Sequence, residues 1–132
     1  MTSVNGDWLD DFYSSVDAMR IDEIVEHFAP DGEFVFANQP AAIGHTAIRR
    51  ALNDFYSTIE SIRHTARNRW SVDDRTTIFE THVRYKTRAH NELAVPGLAV
   101  IERNSSGLIH SLRVYVDNSA LFAPPMAGAA EA

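Results

Sequence analysis

Asp17 and His64 are the two side chains in this sequence whose chemistry combines most usefully. A carboxylate beside an imidazole makes a tunable general base: the carboxylate orients the ring and stabilises its protonated form, and the free ring nitrogen takes a proton near neutral pH. Asp17 closes the run Phe12-Tyr13-Ser14-Ser15-Val16-Asp17, and His64 opens the run His64-Thr65-Ala66-Arg67-Asn68. Spacing alone does not join them. The other chemistry-bearing residues form no second set. His27, His45, His82 and His90 are scattered without metal-ligand spacing, so no metal site is expected. With no cysteine in the chain, thiolate nucleophiles, disulfides and cysteine metal sites are excluded, and a reducing cytoplasm is the expected location. Neither a Gly-rich phosphate loop nor a nucleophile elbow is present, and no cofactor is expected.

These residues must be positioned by elements that the sequence pattern outlines. Asn5-Gly6-Asp7 supplies capping residues for a helix running to about Met19. Trp8, Phe12, Val16 and Met19 form its core stripe, with Leu9, Tyr13 and Asp17 in the adjacent row, so Asp17 sits at the flank of the apolar face. A second helix carries Ile21, Ile24, Val25 and Phe28 and stops at Pro30-Asp31-Gly32. Glu33 to Ala37 reads as a short strand and Asn38 to Gly44 as a loop. Thr46 opens a third helix with Ile48, Leu52, Phe55 and Ile59 on one face. From Ile62 the hydrophobic period changes to two, which predicts strands over about 62–72, 76–89, 93–103 and 108–117. Asp73-Asp74-Arg75 and Asn104-Ser105-Ser106-Gly107 are hairpin turns by composition.

Helices first and a strand meander afterwards define an α+β fold, with three N-terminal helices packed on a strongly curved antiparallel sheet. At 132 residues the chain is a single domain, expected over residues 1–122 with a frayed tail over 123–132. Twelve basic against eighteen acidic residues give a charge of -6, which argues against a nucleic-acid surface. Absence of a long apolar run argues against a membrane span, and Met1 to Asp7 lacks a signal-peptide pattern.

On the predicted first long strand, His64 shares a face with Ala66, Asn68, Trp70 and Val72. Arg63, Thr65, Arg67, Arg69 and Ser71 share the other. The first set is expected inward, because burying the second would desolvate three guanidinium groups. The arginines are expected outside, paired with acids such as Glu80 across the sheet. His110 is expected on the last-strand face with Leu108, Leu112, Val114 and Val116. An inward histidine is as readily a hydrogen-bonded core residue as a catalyst, and aromatics at these periods are by default core.

This order of elements resembles the SnoaL-like family of the nuclear-transport-factor-like superfamily, over roughly Trp8 to Phe122. The resemblance is carried by Ile21-Asp22-Glu23-Ile24 leading to Phe28-Ala29-Pro30-Asp31-Gly32, by Gly44-His45-Thr46-Ala47-Ile48, and by Gly107-Leu108-Ile109 through Arg113-Val114-Tyr115-Val116-Asp117. It implies a cone-shaped fold enclosing a pocket and a homodimer formed through the sheet. It leaves the reaction open, since the same cone hosts isomerases, dehydratases, epoxide hydrolases, cyclases and plain binding proteins. The functional positions of ketosteroid isomerases fall here on Phe12, Phe36 and Ala99, which lack the needed groups. Those of limonene epoxide hydrolases fall on Val114, Phe34 and Phe36, which lack them too.

The pattern that remains is that of scytalone dehydratase-like proteins, with an aspartate ending the first helix and a histidine starting the first long strand. Asp17, eleven residues before Phe28, and His64, four before Asn68, match it. The resemblance thus implies a cofactor-independent lyase or isomerase acting on a small hydrophobic carbonyl compound. His64 would be the base and Asp17 its orienting acid, with Tyr13 or Trp70 the candidate oxyanion donor. Phe12, Phe36, Trp70, His110, Leu112 and Val114 are the candidate substrate-binding residues. The alternative is a non-catalytic small-molecule binding or interaction module on the same fold.

Overall fold

The computed structural model describes residues 7–121, so the expected tail and its boundary at residue 122 lie outside the described residues. Three helices precede most of the sheet: α1 (Trp8–Asp17), α2 (Ile21–Glu26) and α3 (His45–Tyr56). The strands are β1 (Phe28–Phe36), β2 (Ala42–Ile43), β3 (Ile59–Ser71), β4 (Thr76–Thr87), β5 (Glu92–Arg103) and β6 (Ile109–Val116). They form one curved, unclosed sheet in the order β2-β1-β6-β5-β4-β3. From β6 to β3 the pairing is an antiparallel meander, as the period-two stretch predicts. β1 instead lies parallel to β6, because the chain crosses through β2, α3 and three further strands before returning to it. The sheet is therefore mixed rather than wholly antiparallel.

Helix α1 begins where expected: Asp7 is its N-cap and accepts a 3.0 Å hydrogen bond from the Leu9 N–H. It ends two residues earlier than its apolar stripe suggests. Ala18 caps it, and Met19 takes a left-handed φ of 57°, donating to Val16 O while Arg20 N–H donates to Ser15 O at 3.0 Å. This is the 6→1, 5→2 closure usually built on glycine. It leaves Asp17 as the last helical residue.

Helix α2 is shorter than expected, because Phe28 already belongs to β1 and the Ala29–Gly32 stretch is a bulge in that strand. Gly32 is required there, since a Cβ would lie 2.8 Å from the Ile109 carbonyl oxygen. Ile59 likewise leaves α3 and starts β3. Part of the expected 38–44 loop pairs briefly with β1 as β2.

Both predicted hairpin turns are present. Asp73 Oδ1 accepts from the Arg75 and Thr76 N–H groups, and Asn104 Oδ1 accepts from those of Ser106 and Leu108. The core lies between the helices and the concave face of the sheet. Leu9, Phe12, Ile24, Phe28, Ile48, Ile59, Ile101 and Ile109 are essentially inaccessible there. On β4 the alternation is strict: Thr77, Phe79, Thr81, Val83 and Tyr85 are buried, and the residues between them are not.

Two bulges reverse the expected faces. The β3–β4 register slips at Arg67, with Ala66 opposite Thr81 but Asn68 opposite Glu80. One extra residue exchanges the faces of everything beyond it. Trp70 therefore lies on the outer face opposite Ile78 and is 47% exposed, which corrects its assignment to the pocket wall. Asn68, also outside, donates to Glu80 at 2.7 Å, whereas Arg69 turns inward to pair with Asp7. The arginine face expected outside is thus split. His110 is the extra residue of a second slip, between Glu102 and Arg103 on β5. It is exposed beside the Asp73–Thr76 turn and does not reach the main cavity, correcting its assignment as well.

Candidate functional site

A cavity of about 650 Å³ opens between the helices and the concave face of the sheet. Its wall is a nearly continuous series of aromatic rings. Phe28, Phe34, Phe36 and Phe55 follow one another with centroids 4.8–6.2 Å apart, and Phe55 meets Tyr85 edge-on at 5.8 Å. Of the residues expected to line a pocket, Phe12, Phe36, Leu112 and Val114 do so, together with Tyr13 and His64. The lining also includes the polar side chains of Gln39, Arg50, Asp54 and Asn118. Mostly apolar walls with a few converging polar groups are what a small-molecule site requires.

Asp17 and His64 meet at this wall although 47 residues separate them in sequence. His64 Nδ1 lies 2.6 Å from Asp17 Oδ1, and the His64 backbone N–H donates to Asp17 Oδ2 at 3.0 Å. Both carboxylate oxygens are thus held by one residue. A carboxylate can only accept, so Nδ1 carries the proton and Nε2 is the basic nitrogen of the neutral ring. Nε2 has no hydrogen-bond partner among the described residues. His64 is 13% exposed and Asp17 29%, an environment dry enough to strengthen the pair while leaving the ring open to the cavity.

The helix closure at Ala18 and Met19 brings this about locally, because it places the Asp17 side chain at the end of α1 facing β3. On β3 the inward parity before the Arg67 bulge carries Ile62 and His64.

Tyr13 packs edge-on against His64, with centroids 4.8 Å apart, and against Phe79 at 4.9 Å. Burial pushes its phenol well above the ordinary value, and the nearby Asp17 charge adds to this. Tyr56 is raised in the same way, burial first and Asp17 next, and its hydroxyl donates to Val16 O at 3.0 Å. Tyr85, pushed up to about 12 by burial, also lines the cavity. Neither Tyr56 nor Tyr85 was among the residues expected at the site. The alternating run from Thr77 to Tyr85 is the signal that would have placed Tyr85 on the inward face of its strand. Among the described residues no cluster of His, Asp and Glu could hold a metal ion, and no helix is long and apolar enough to cross a membrane.

A mostly antiparallel curved sheet wrapped over three helices, with a cavity between, defines the nuclear-transport-factor-like class. Residues 9–111 match the SnoaL-like domain family, and the chain belongs to it. No curated protein sequence matches the chain. A hypothetical protein with a ketosteroid isomerase-like fold from Catenulispora acidiphila, in complex with trimethylamine, is similar at TM-score 0.77. It shares 16% identity over 86% of this chain and 87% of that one. TerC, co-crystallised with polyporic acid, is similar at TM-score 0.76 and 13% identity, over 86% and 92% of the two chains. The epoxide hydrolase/cyclase-like enzyme SalBIII, associated with pyran ring formation in salinomycin, is similar at TM-score 0.73 and 15% identity, over 84% and 88%. At these identities the likeness is one of fold.

Proposed function

We propose that the protein is a cofactor-independent lyase or isomerase, of dehydratase or cyclase type, acting on a small hydrophobic carbonyl compound. The observation that carries this reading is the two-point hold of Asp17 on His64, through the ring Nδ1 and the backbone N–H. It fixes both the tautomer and the orientation of the imidazole, as a general base requires. Nε2 takes the proton next to the carbonyl, Asp17 stabilises the imidazolium formed, and the aromatic wall binds the hydrocarbon body of the substrate. Neighbours of the same fold described with polyporic acid and with pyran ring formation support a small organic substrate and chemistry of the cyclising type.

A homodimer through the outer face of the sheet belongs to this reading. Trp70 and Tyr115, 47% and 55% exposed, stand there with Ile78, Leu98 and Val100 on adjoining strands.

Hydrogen–deuterium exchange at the α-carbons of 2-tetralone, a compact cyclic ketone, tests the base without knowledge of the natural substrate. The protein should accelerate exchange, and Asp17→Asn should lower the rate about 10²-fold or more. If 2-tetralone binds in the cavity but the protein does not speed exchange, the protein is a binding module and the catalytic reading fails.

A further inference from the structure

A base that removes a proton beside a carbonyl needs a donor for the negative charge that develops on the oxygen. With Trp70 on the outer face of the sheet, one of the two groups expected for that task is gone. We infer that the Tyr85 hydroxyl is the group that meets the substrate oxygen while His64 takes the proton, an assignment that rests on the general-base reading above. In that step the C–H electron pair forms the new C=C bond, the C=O π pair moves onto the carbonyl oxygen, and the proton passes to Nε2. Tyr85 keeps its own proton and donates it as a hydrogen bond.

Placement on the sheet supports this first. His64 stands opposite Val83, and Tyr85 is two residues further along β4 on the same inward face. Such diagonal neighbours are about 7–8 Å apart and within reach of an aromatic side chain.

The state of the hydroxyl supports it next. Tyr85 is 1% exposed overall, yet its hydroxyl bonds to no described residue. Arg103 Nε is the one fully buried side-chain polar atom without a partner among the described residues, so the Tyr85 hydroxyl keeps some accessible surface, and Tyr85 lines the cavity. Burial keeps it a phenol rather than a phenolate at any physiological pH.

The competing phenols are less suited. The Tyr56 hydroxyl already donates its hydrogen bond to Val16 O. Tyr13 packs against the His64 ring and the Asp17 charge acts on its phenol, so an oxyanion at Tyr13 would form beside the carboxylate.

The test compares binding of 4-nitrophenolate, whose oxygen imitates the enolate, with nitrobenzene, which lacks that oxygen. The parent protein, Tyr85→Phe and Tyr13→Phe are measured at a pH where the phenol is ionised. Tyr85→Phe should weaken 4-nitrophenolate about ten-fold or more and leave nitrobenzene unchanged, as loss of one hydrogen bond to a charged acceptor predicts. Its thermal midpoint should not fall, since the hydroxyl holds nothing in the fold.

A parent protein with no preference for the phenolate overturns the assignment, as does a full loss in Tyr13→Phe instead. A lowered midpoint overturns it too, because the hydroxyl would then be structural. The probe reports binding alone, so failure here leaves the 2-tetralone exchange standing. Failure of that exchange leaves this measurement readable.

Discussion

Helix α1 is fastened to strand β3 at both ends, each time by an aspartate and a basic side chain. At its N-terminus Asp7 pairs with Arg69, both about one-third exposed, and at its C-terminus Asp17 pairs with the better-buried His64. The N-terminal clasp is reinforced by Trp8, whose ring lies under the guanidinium of Arg103 at 4.1 Å and near that of Arg69 at 6.0 Å. The two clasps resemble each other in topology and differ in chemistry. Arginine stays charged across the accessible pH range, so the first can only hold. An imidazole can exchange a proton near neutrality, and the second clasp faces an apolar cavity, so on the function proposed above the same anchoring geometry serves as a base. Position on the helix adds to the contrast. Asp7 lies at the favourable end of the helix dipole, and Asp17 at the end where a negative charge is least welcome without a cationic partner.

The comparison breaks most sharply at His64. His64→Ala should remove acceleration of 2-tetralone exchange, a loss of about 10²–10⁴-fold. Binding of nitrobenzene should persist, because the aromatic wall is intact. Exchange at the parent rate in this variant would reduce the second clasp to a mere anchor. Asp17→Asn should cost less, since Asn can still accept one hydrogen bond from His64 but can neither carry charge nor fix the tautomer. Circular dichroism would confirm that the fold survives while the exchange rate falls.

These two clasps were not equally legible in the sequence. Asp17 and His64 were readable, because the first lies at the end of a clear apolar stripe and the second lies before the Arg67 bulge, where parity counting still holds. Arg69 lies beyond the bulge, so the same counting put it outside, and Trp70 inside, when the reverse is true. His110 was misplaced by the second slip for the same reason. A bulge depends on which residue pairs with which across two strands, and one strand's alternation does not contain that information. Tyr85 was legible in principle, but its value shows only when the cavity and the His64 side of the sheet are known together. The parallel β1–β6 pairing is similarly a property of how the chain returns, not of either strand's pattern.

At the N-terminal clasp the expected effect is on stability alone. Asp7→Ala removes both the helix cap and the partner of Arg69, and should cost about 1 kcal/mol by urea denaturation. Exchange of 2-tetralone should stay within about two-fold of the parent, because Asp7 lies at the far end of α1 from His64 and shares no partner with it. The hydrogen bond from Arg69 holds the Asp7 carboxyl below its usual value of 3.8. Its contribution is therefore complete above about pH 4 and fades as the pH falls through the depressed value. A ten-fold change in exchange would mean that the two clasps are coupled along α1.

The smallest expected effect comes from a third basic group against α1, one with no clasp at all. The His27 ring stacks edge-on against Phe12 at 5.3 Å, and burial holds it below its ordinary value of 6.5 despite the nearby charges of Asp11, Glu23 and Glu26. A depressed histidine is neutral in both folded and unfolded chains above that value, so it contributes nothing to the pH dependence there. Below it the unfolded chain binds the proton more readily, and stability declines until the pH passes the folded value. His27→Gln should flatten that part of the curve, leaving the variant's urea midpoint at pH 5.5 closer to its value at pH 7.5 than the parent's is. Urea midpoints of parent and variant between pH 5.5 and pH 7.5 provide the measurement. If the two curves run parallel, burial at His27 does not control its proton, and the contrast between a paired and an unpaired imidazole packed against α1 loses its control.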